Sequence, residues 1–75
     1  MSAKEMFEKL GFNFRKELYK NDVLIQIQFD NNDGSWITIS EKEIEYVESH
    51  NPKANIPIKL LPAINKILEE LRWNK

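Results

Sequence analysis

Apolar positions recur at two different spacings along this chain, and the change of period divides it into elements. Near the start, Met6, Phe7 and Leu10 follow at helical spacing. Ser2-Ala3-Lys4-Glu5 ahead of them reads as a capping box. The Ser2 hydroxyl can accept from the Glu5 backbone N–H, and the Glu5 carboxylate can reach back. Met1 and Met6 occupy the flanking staple positions. Gly11 suits a left-handed C-cap, with Phe12 folding back on the last turn. A helix of about eight residues is marginal alone in water, so its apolar side must dock on something.

The period then drops to two. Val23, Ile25, Ile27 and Phe29 alternate with Leu24, Gln26 and Gln28, the pattern of a half-buried strand. Trp36 to Ser40 follows, with Ile37 and Ile39 on one face and Trp36 on the other. Glu41-Lys42 can turn the chain into Ile44 to Glu48, where Ile44 and Tyr46 share a face. Phe14 to Tyr19, with imperfect alternation, is a candidate fourth strand at an edge, and Lys20-Asn21-Asp22 after it is turn-like.

Helical spacing returns at the end. Ser49 to Pro57, with Asn51, Pro52, Asn55 and Pro57, reads as a linker. In "IKLLPAINKILEELRW", Leu60, Ile64, Ile67, Leu68 and Leu71 form one stripe, while Asn65, Lys66, Glu69, Glu70 and Arg72 face water. Pro62 is tolerated if regular helix begins near Leu61, and distorts the first turn if it begins at Ile58. The expected architecture is α+β in two layers: a short N-terminal helix, an antiparallel meander of three to four strands and a C-terminal amphipathic helix, with both helices on one sheet face.

Composition fits that picture. The chain has 75 residues, the size of one small domain with a thin core. Hydrophobic residues at 41% and charged ones at 31% place it with folded rather than disordered chains. It has no cysteine, so neither a disulfide nor a thiolate metal site supports the fold. A net charge of −1 gives no overall attraction to nucleic acid or anionic membrane. No apolar run approaches the ~20 residues of a membrane span, and no uninterrupted leader-like stretch opens the chain. The expectation is a cytoplasmic, soluble protein.

The segment "FDNNDGSW" invites a calcium reading, which its spacing does not support. With Gly34 at the sixth loop position, Phe29 takes the first, where an oxygen ligand is needed, and Ser40 the twelfth, where a bidentate Glu is needed. With Asp30 first, Ser35 stands where the glycine must be. Asp-Gly between alternating apolar runs is instead a hairpin signal. Nucleophilic and general-base readings are equally thin. His50 is the one histidine, in "SHNP", no Gly-x-Ser-x-Gly elbow is present, and two glycines build no phosphate cradle. No enzyme activity and no cofactor is expected.

Charge is unevenly placed. Residues 41 to 48 carry −3, and Glu41, Glu43 and Glu45 would alternate along one strand face. Such a row commonly keeps sheet edges apart. It can also dock on a basic protein surface, with Tyr46 and Trp36 as neighbouring aromatic contacts. The C-terminal quarter leans positive through Lys53, Lys59, Lys66 and Arg72, a set that could follow phosphates. Helix, three strands, helix is also the order of double-stranded-RNA-binding domains. Those carry a lysine cluster at the start of the last helix, where this chain has only Lys59.

The ends of the chain, "AKEMFEKLGF" and "LPAINKILEELRW", resemble those of small proteins encoded by phages and prophages of Gram-positive bacteria. Those begin with a MFEELGY-like helix and finish with an AINKQIEELGW-like helix, with strands between. Arg72 stands here where a glycine is usual, and Pro62 where a helix former is usual. The resemblance implies fold and origin and assigns no activity. Together these readings lead to a phage-derived, non-enzymatic accessory protein, monomeric or homodimeric, that binds a protein partner through Glu41, Glu43, Glu45, Tyr46 and Trp36. The alternative is a nucleic-acid-binding module using the four cations.

Overall fold

The computed structural model describes residues 1–51 and 54–73. Helix α1 spans Ala3–Lys9, and four strands follow: β1 Asn13–Lys20, β2 Val23–Asp30, β3 Trp36–Ser40 and β4 Ile44–Val47. A 3-10 turn at Ile58–Leu60 leads into helix α2, Leu61–Glu70. The strands form an antiparallel meander in the order β1-β2-β3-β4. The edge strand expected around Phe14 to Tyr19 is therefore present. The sheet has one strand more than the three of a double-stranded-RNA-binding order, which removes that topological likeness.

Both helices end as their local sequences require. The capping box at Ser2 and Glu5 is complete, with bonds of 3.2 Å from the Glu5 N–H and 3.0 Å to the Glu5 carboxylate. Gly11 adopts φ +88°, and the Phe12 N–H donates back to the Phe7 carbonyl at 2.9 Å. This six-residue closure satisfies a carbonyl that the helix end would leave bare. Pro62 falls in the first turn of α2, where its missing N–H costs little.

Alternation then decides what is buried. Ile27, Phe29, Ile37 and Ile39 project to one face and meet Ala3, Phe7, Phe12, Leu60, Ala63, Ile64 and Ile67 in one cluster. Phe7 stacks on Phe29 at 4.2 Å between ring centres. Burying side chains of this size stabilises by about 1.5–3 kcal/mol each, so this layer carries the fold. The helices run antiparallel across it. The Glu70 carboxylate accepts the Ala3 N–H at 3.0 Å, and Lys9 and Leu10 share a groove with Lys59 and Pro62 at the other end.

Two expectations are corrected. Val23 and Ile25 do not join the buried row, remaining 61% and 37% exposed. Ile25 is an extra residue opposite the Leu18–Tyr19 step of β1, and this bulge breaks the alternation. Leu18 and Tyr19 are exposed beside them, so the far end of the β1–β2 hairpin is left uncovered. Nor do Glu41, Glu43 and Glu45 share a strand. β4 begins at Ile44, because Ser40 closes a turn with Glu43 through its N–H at 2.9 Å and its hydroxyl at 3.1 Å.

Candidate functional site

The helices cover one face of the sheet, and the register fixes what the other face presents. Gln28 lies between Lys16 and Thr38, and Thr38 is followed by Glu45 on β4. Gln26 lies between Leu18 and Ser40, while Asp30, Trp36 and Val47 form a third row. The face is thus mostly uncharged and polar, with one large aromatic. Trp36 is half-buried there. Beside it, Arg15 and Asp30 form an ion pair at 2.9 Å. Arg15, Gln28, Asp30, Asn31, Gly34 and Trp36 line a shallow hollow of about 370 Å³.

The floor of that hollow is set by the turn at Asn31 to Ser35. Asn31 Oδ1 accepts the N–H groups of Asp33 and Ser35 at 3.2 and 3.0 Å, and Asp33 Oδ1 also accepts from Ser35. The Asn31 N–H donates to the Ser35 carbonyl at 2.9 Å. Gly34 takes φ +91°, and a Cβ built there would meet the Ser49 Cβ at 3.0 Å, so glycine is needed on both grounds. The oxygen-rich segment is a self-capped turn whose side chains satisfy its own backbone. Among the described residues, no cluster of three or more histidine, cysteine or acidic side chains is placed to hold a metal ion.

The five residues expected to contact a protein partner are distributed over three positions. Trp36 and Glu45 lie on the uncovered face, on neighbouring strands. Glu41 and Glu43 lie in the β3–β4 turn at its rim, where they line a second hollow of about 440 Å³ with Ile25, Ser40 and Lys42. Tyr46 lies on the helix-covered face, opposite Ile37 and 6.5 Å from the Phe12 ring. Its hydroxyl donates to Glu48 at 3.2 Å, and burial first, then that carboxylate, raises its pKa above the ordinary 10.0. Glu41 and Glu43 therefore lie beyond the Ser40 end of β3 and the half-buried Trp36 at its other end, with Glu45 in the row between them.

The four cations lie elsewhere. Lys59 is on the 3-10 turn, Lys66 on α2 with its ammonium 4.0 Å from Glu69, and Arg72 just past α2. Lys53 lies outside the described residues. His50 is exposed in the linker and lines none of these hollows.

Two features escape a reading of the sequence. The Arg15–Asp30 pair joins residues on different strands, and only the strand register brings it together. The basic character of β1, from Arg15, Lys16 and Lys20, is not singled out by charge patterning, although the strand itself is expected at an edge, where the sheet order places it.

No family model matches the chain, and neither a curated protein nor a solved structure matches it. Among the described residues, no helix is long and apolar enough to cross a membrane.

Proposed function

We propose that the protein is a phage-derived accessory protein of the bacterial cytoplasm. It acts without catalysis, by docking the β3–β4 end of its sheet on a basic protein surface. The observation that carries this reading is the placement of Trp36 and Glu45 one row apart, on neighbouring strands of an uncovered sheet face, with Glu41 and Glu43 in the turn beyond the other end of β3. A half-exposed tryptophan supplies apolar contact area at low entropic cost, and flanking carboxylates select positively charged partners and steer their approach. Tyr46 supports this face from behind, by filling the layer between β4 and Phe12.

The test is affinity capture from a Gram-positive host lysate with the wild type, Trp36→Ala and Glu43→Lys/Glu45→Lys. A protein retained by the wild type and lost from both variants supports the reading. Equal capture by all three refutes it. A gel shift with double-stranded RNA and DNA serves the nucleic-acid alternative. Tight binding with a steep salt slope, weakened by Lys59→Ala and Lys66→Ala, would replace the protein-docking reading.

A further inference from the structure

The sheet is an open meander, and its two outer strands carry opposite charge. Between Asn13 and Lys20, β1 holds Arg15, Lys16 and Lys20 against Glu17, a balance of +2. The stretch from Glu43 to Glu48, containing β4, holds Glu43, Glu45 and Glu48 with no cation, a balance of −3. Each strand is last in the sheet order, so each has one side without a neighbouring strand among the described residues. An outer strand offers unpaired backbone donors and acceptors and is a template for another chain.

From this juxtaposition we infer that the acidic β4 edge is complementary to the basic β1 edge of a second copy, and that the chain associates head to tail through these edges. The inference rests on the reading of the β3–β4 end as a protein-docking site, and it names the partner.

Direction and register both permit the contact. Four antiparallel strands leave β1 and β4 running oppositely, so a second copy placed alongside continues the antiparallel sheet with its helices on the same side. A face-preserving register sets Ile44 opposite Tyr19, Glu45 opposite Leu18, Tyr46 opposite Glu17 and Val47 opposite Lys16. Glu43 then meets Lys20. Within one chain, Ile44 and Tyr46 lie opposite Ile39 and Ile37, and Glu17 lies opposite Ile27, all on the covered face. Tyr19 shares that side, its hydroxyl bonded to Glu17 at 3.2 Å. Glu45 and Lys16 both lie on the uncovered face. The bulge at Arg15, which has no ladder partner on β2, ends the regular stretch of β1 at Lys16 and leaves the segment Lys16 to Lys20 to match Glu43 to Val47.

Charge also excludes the symmetric alternatives. Two β1 edges would oppose lysines, and two β4 edges would oppose glutamates. Only unlike edges attract, and such a heterologous contact repeats rather than closing on itself. The paired stretch is short, well below the roughly 1,000 Å² of a stable interface, so association is weak and concentration-dependent.

Sedimentation velocity over a concentration series tests this. At low salt the wild-type average mass rises with concentration, and at about 1 M salt, where screening acts within about 3 Å, it returns to the monomer. Glu43→Lys/Glu45→Lys and Lys16→Glu/Lys20→Glu each remain monomeric. An equimolar mixture of the two regains association, because each now carries an edge that matches the other. Circular dichroism confirms that both variants fold, as expected for exposed side chains. A wild type that stays monomeric at low salt, variants that associate as it does, or a mixture that stays monomeric overturns the inference. A monomeric wild type that still captures a host protein through Trp36 and Glu45 overturns the second-copy inference and leaves the docking reading standing.

Discussion

The Trp73 N–H donates to the Leu68 carbonyl at 2.8 Å, closing the end of α2 with the same six-residue turn that Phe12 and Phe7 make at the end of α1. In α1 the left-handed position is Gly11. In α2 it is Arg72, at φ +59°. A side chain there crowds the backbone, and glycine does not. Arg72→Gly is therefore expected to stabilise by about 0.5–1 kcal/mol, or several degrees in Tm for a chain of this size. Gly11→Ala is expected to destabilise by a similar amount or more. Thermal unfolding of both variants checks the pair, and a lower Tm for Arg72→Gly contradicts the strain assigned to that position.

The β1–β2 turn makes a second case of the same physics. Asn21 and Asp22 lie at φ +52° and +66°, both left-handed, as a two-residue hairpin with matching twist requires. Asparagine tolerates this conformation well and aspartate less so, with glycine preferred at the second position. Asp22→Gly is expected to raise stability by about 0.5–1 kcal/mol, read as a higher urea midpoint with unchanged slope. Asp22→Val places a β-branched residue at positive φ and should lower the midpoint.

Much of this fold is legible in the sequence, wherever the determining interaction is local. Ser2 with Glu5, Gly11 with Phe12, and the alternation of Ile37 and Ile39 each act within a few residues, so pattern alone finds them. Ile25 fails that reading because the bulge that exposes it is set by pairing with β1. Glu41 and Glu43 fail because Ser40 diverts their backbone into a turn before β4 starts. Glu70 reads as a solvent-facing helix residue, yet it accepts a bond from Ala3, 67 positions away. Of the candidate site, Trp36 and Glu45 are readable from strand parity. Tyr46 follows the same parity to the covered face beside Ile44.

That long-range Glu70 contact is itself testable. The Ala3 N–H is one of the donors that a helix start leaves without an internal partner, and Glu70 supplies an acceptor from the other helix. Glu70→Ala is expected to cost about 1 kcal/mol, while Glu70→Gln keeps a carbonyl acceptor and should cost less. Ser2→Ala removes a separate cap at about 1 kcal/mol. The two losses should show a coupling of at least a few tenths of a kcal/mol in a double-mutant cycle, since both caps serve the same helix turn.

The Phe7–Phe29 stack has the largest predicted effect. Both rings are fully buried and join α1 to the centre of the sheet. Phe7→Ala is expected to cost about 3–5 kcal/mol. Total stability for a domain of this size lies toward the low end of about 5–15 kcal/mol, so this variant should be only marginally stable, with up to about half of its molecules unfolded at room temperature. Phe7→Leu retains most of the apolar volume and should remain folded with a reduced Tm. Near-ultraviolet and far-ultraviolet circular dichroism distinguish the outcomes, and a well-folded Phe7→Ala would mean that α1 does not anchor the sheet.

Stability should also fall on the alkaline side, for a reason located at Tyr46. Its pKa is raised from 10.0 by burial and by the Glu48 carboxylate. A group whose folded value lies above its unfolded value contributes fully below the unfolded pKa, and that contribution is lost as pH rises through the folded one. Tyr19 is shifted the same way, chiefly by the charge of Glu17, but it is exposed and solvent screening weakens its share. The urea midpoint should therefore hold up to about pH 10 and decline above it. Tyr46→Phe removes the ionisable group from the covered face, so its alkaline decline should be shallower even if its midpoint at neutral pH is lower. Equal alkaline slopes for wild type and Tyr46→Phe would show that the partly buried hydroxyl does not govern this limb.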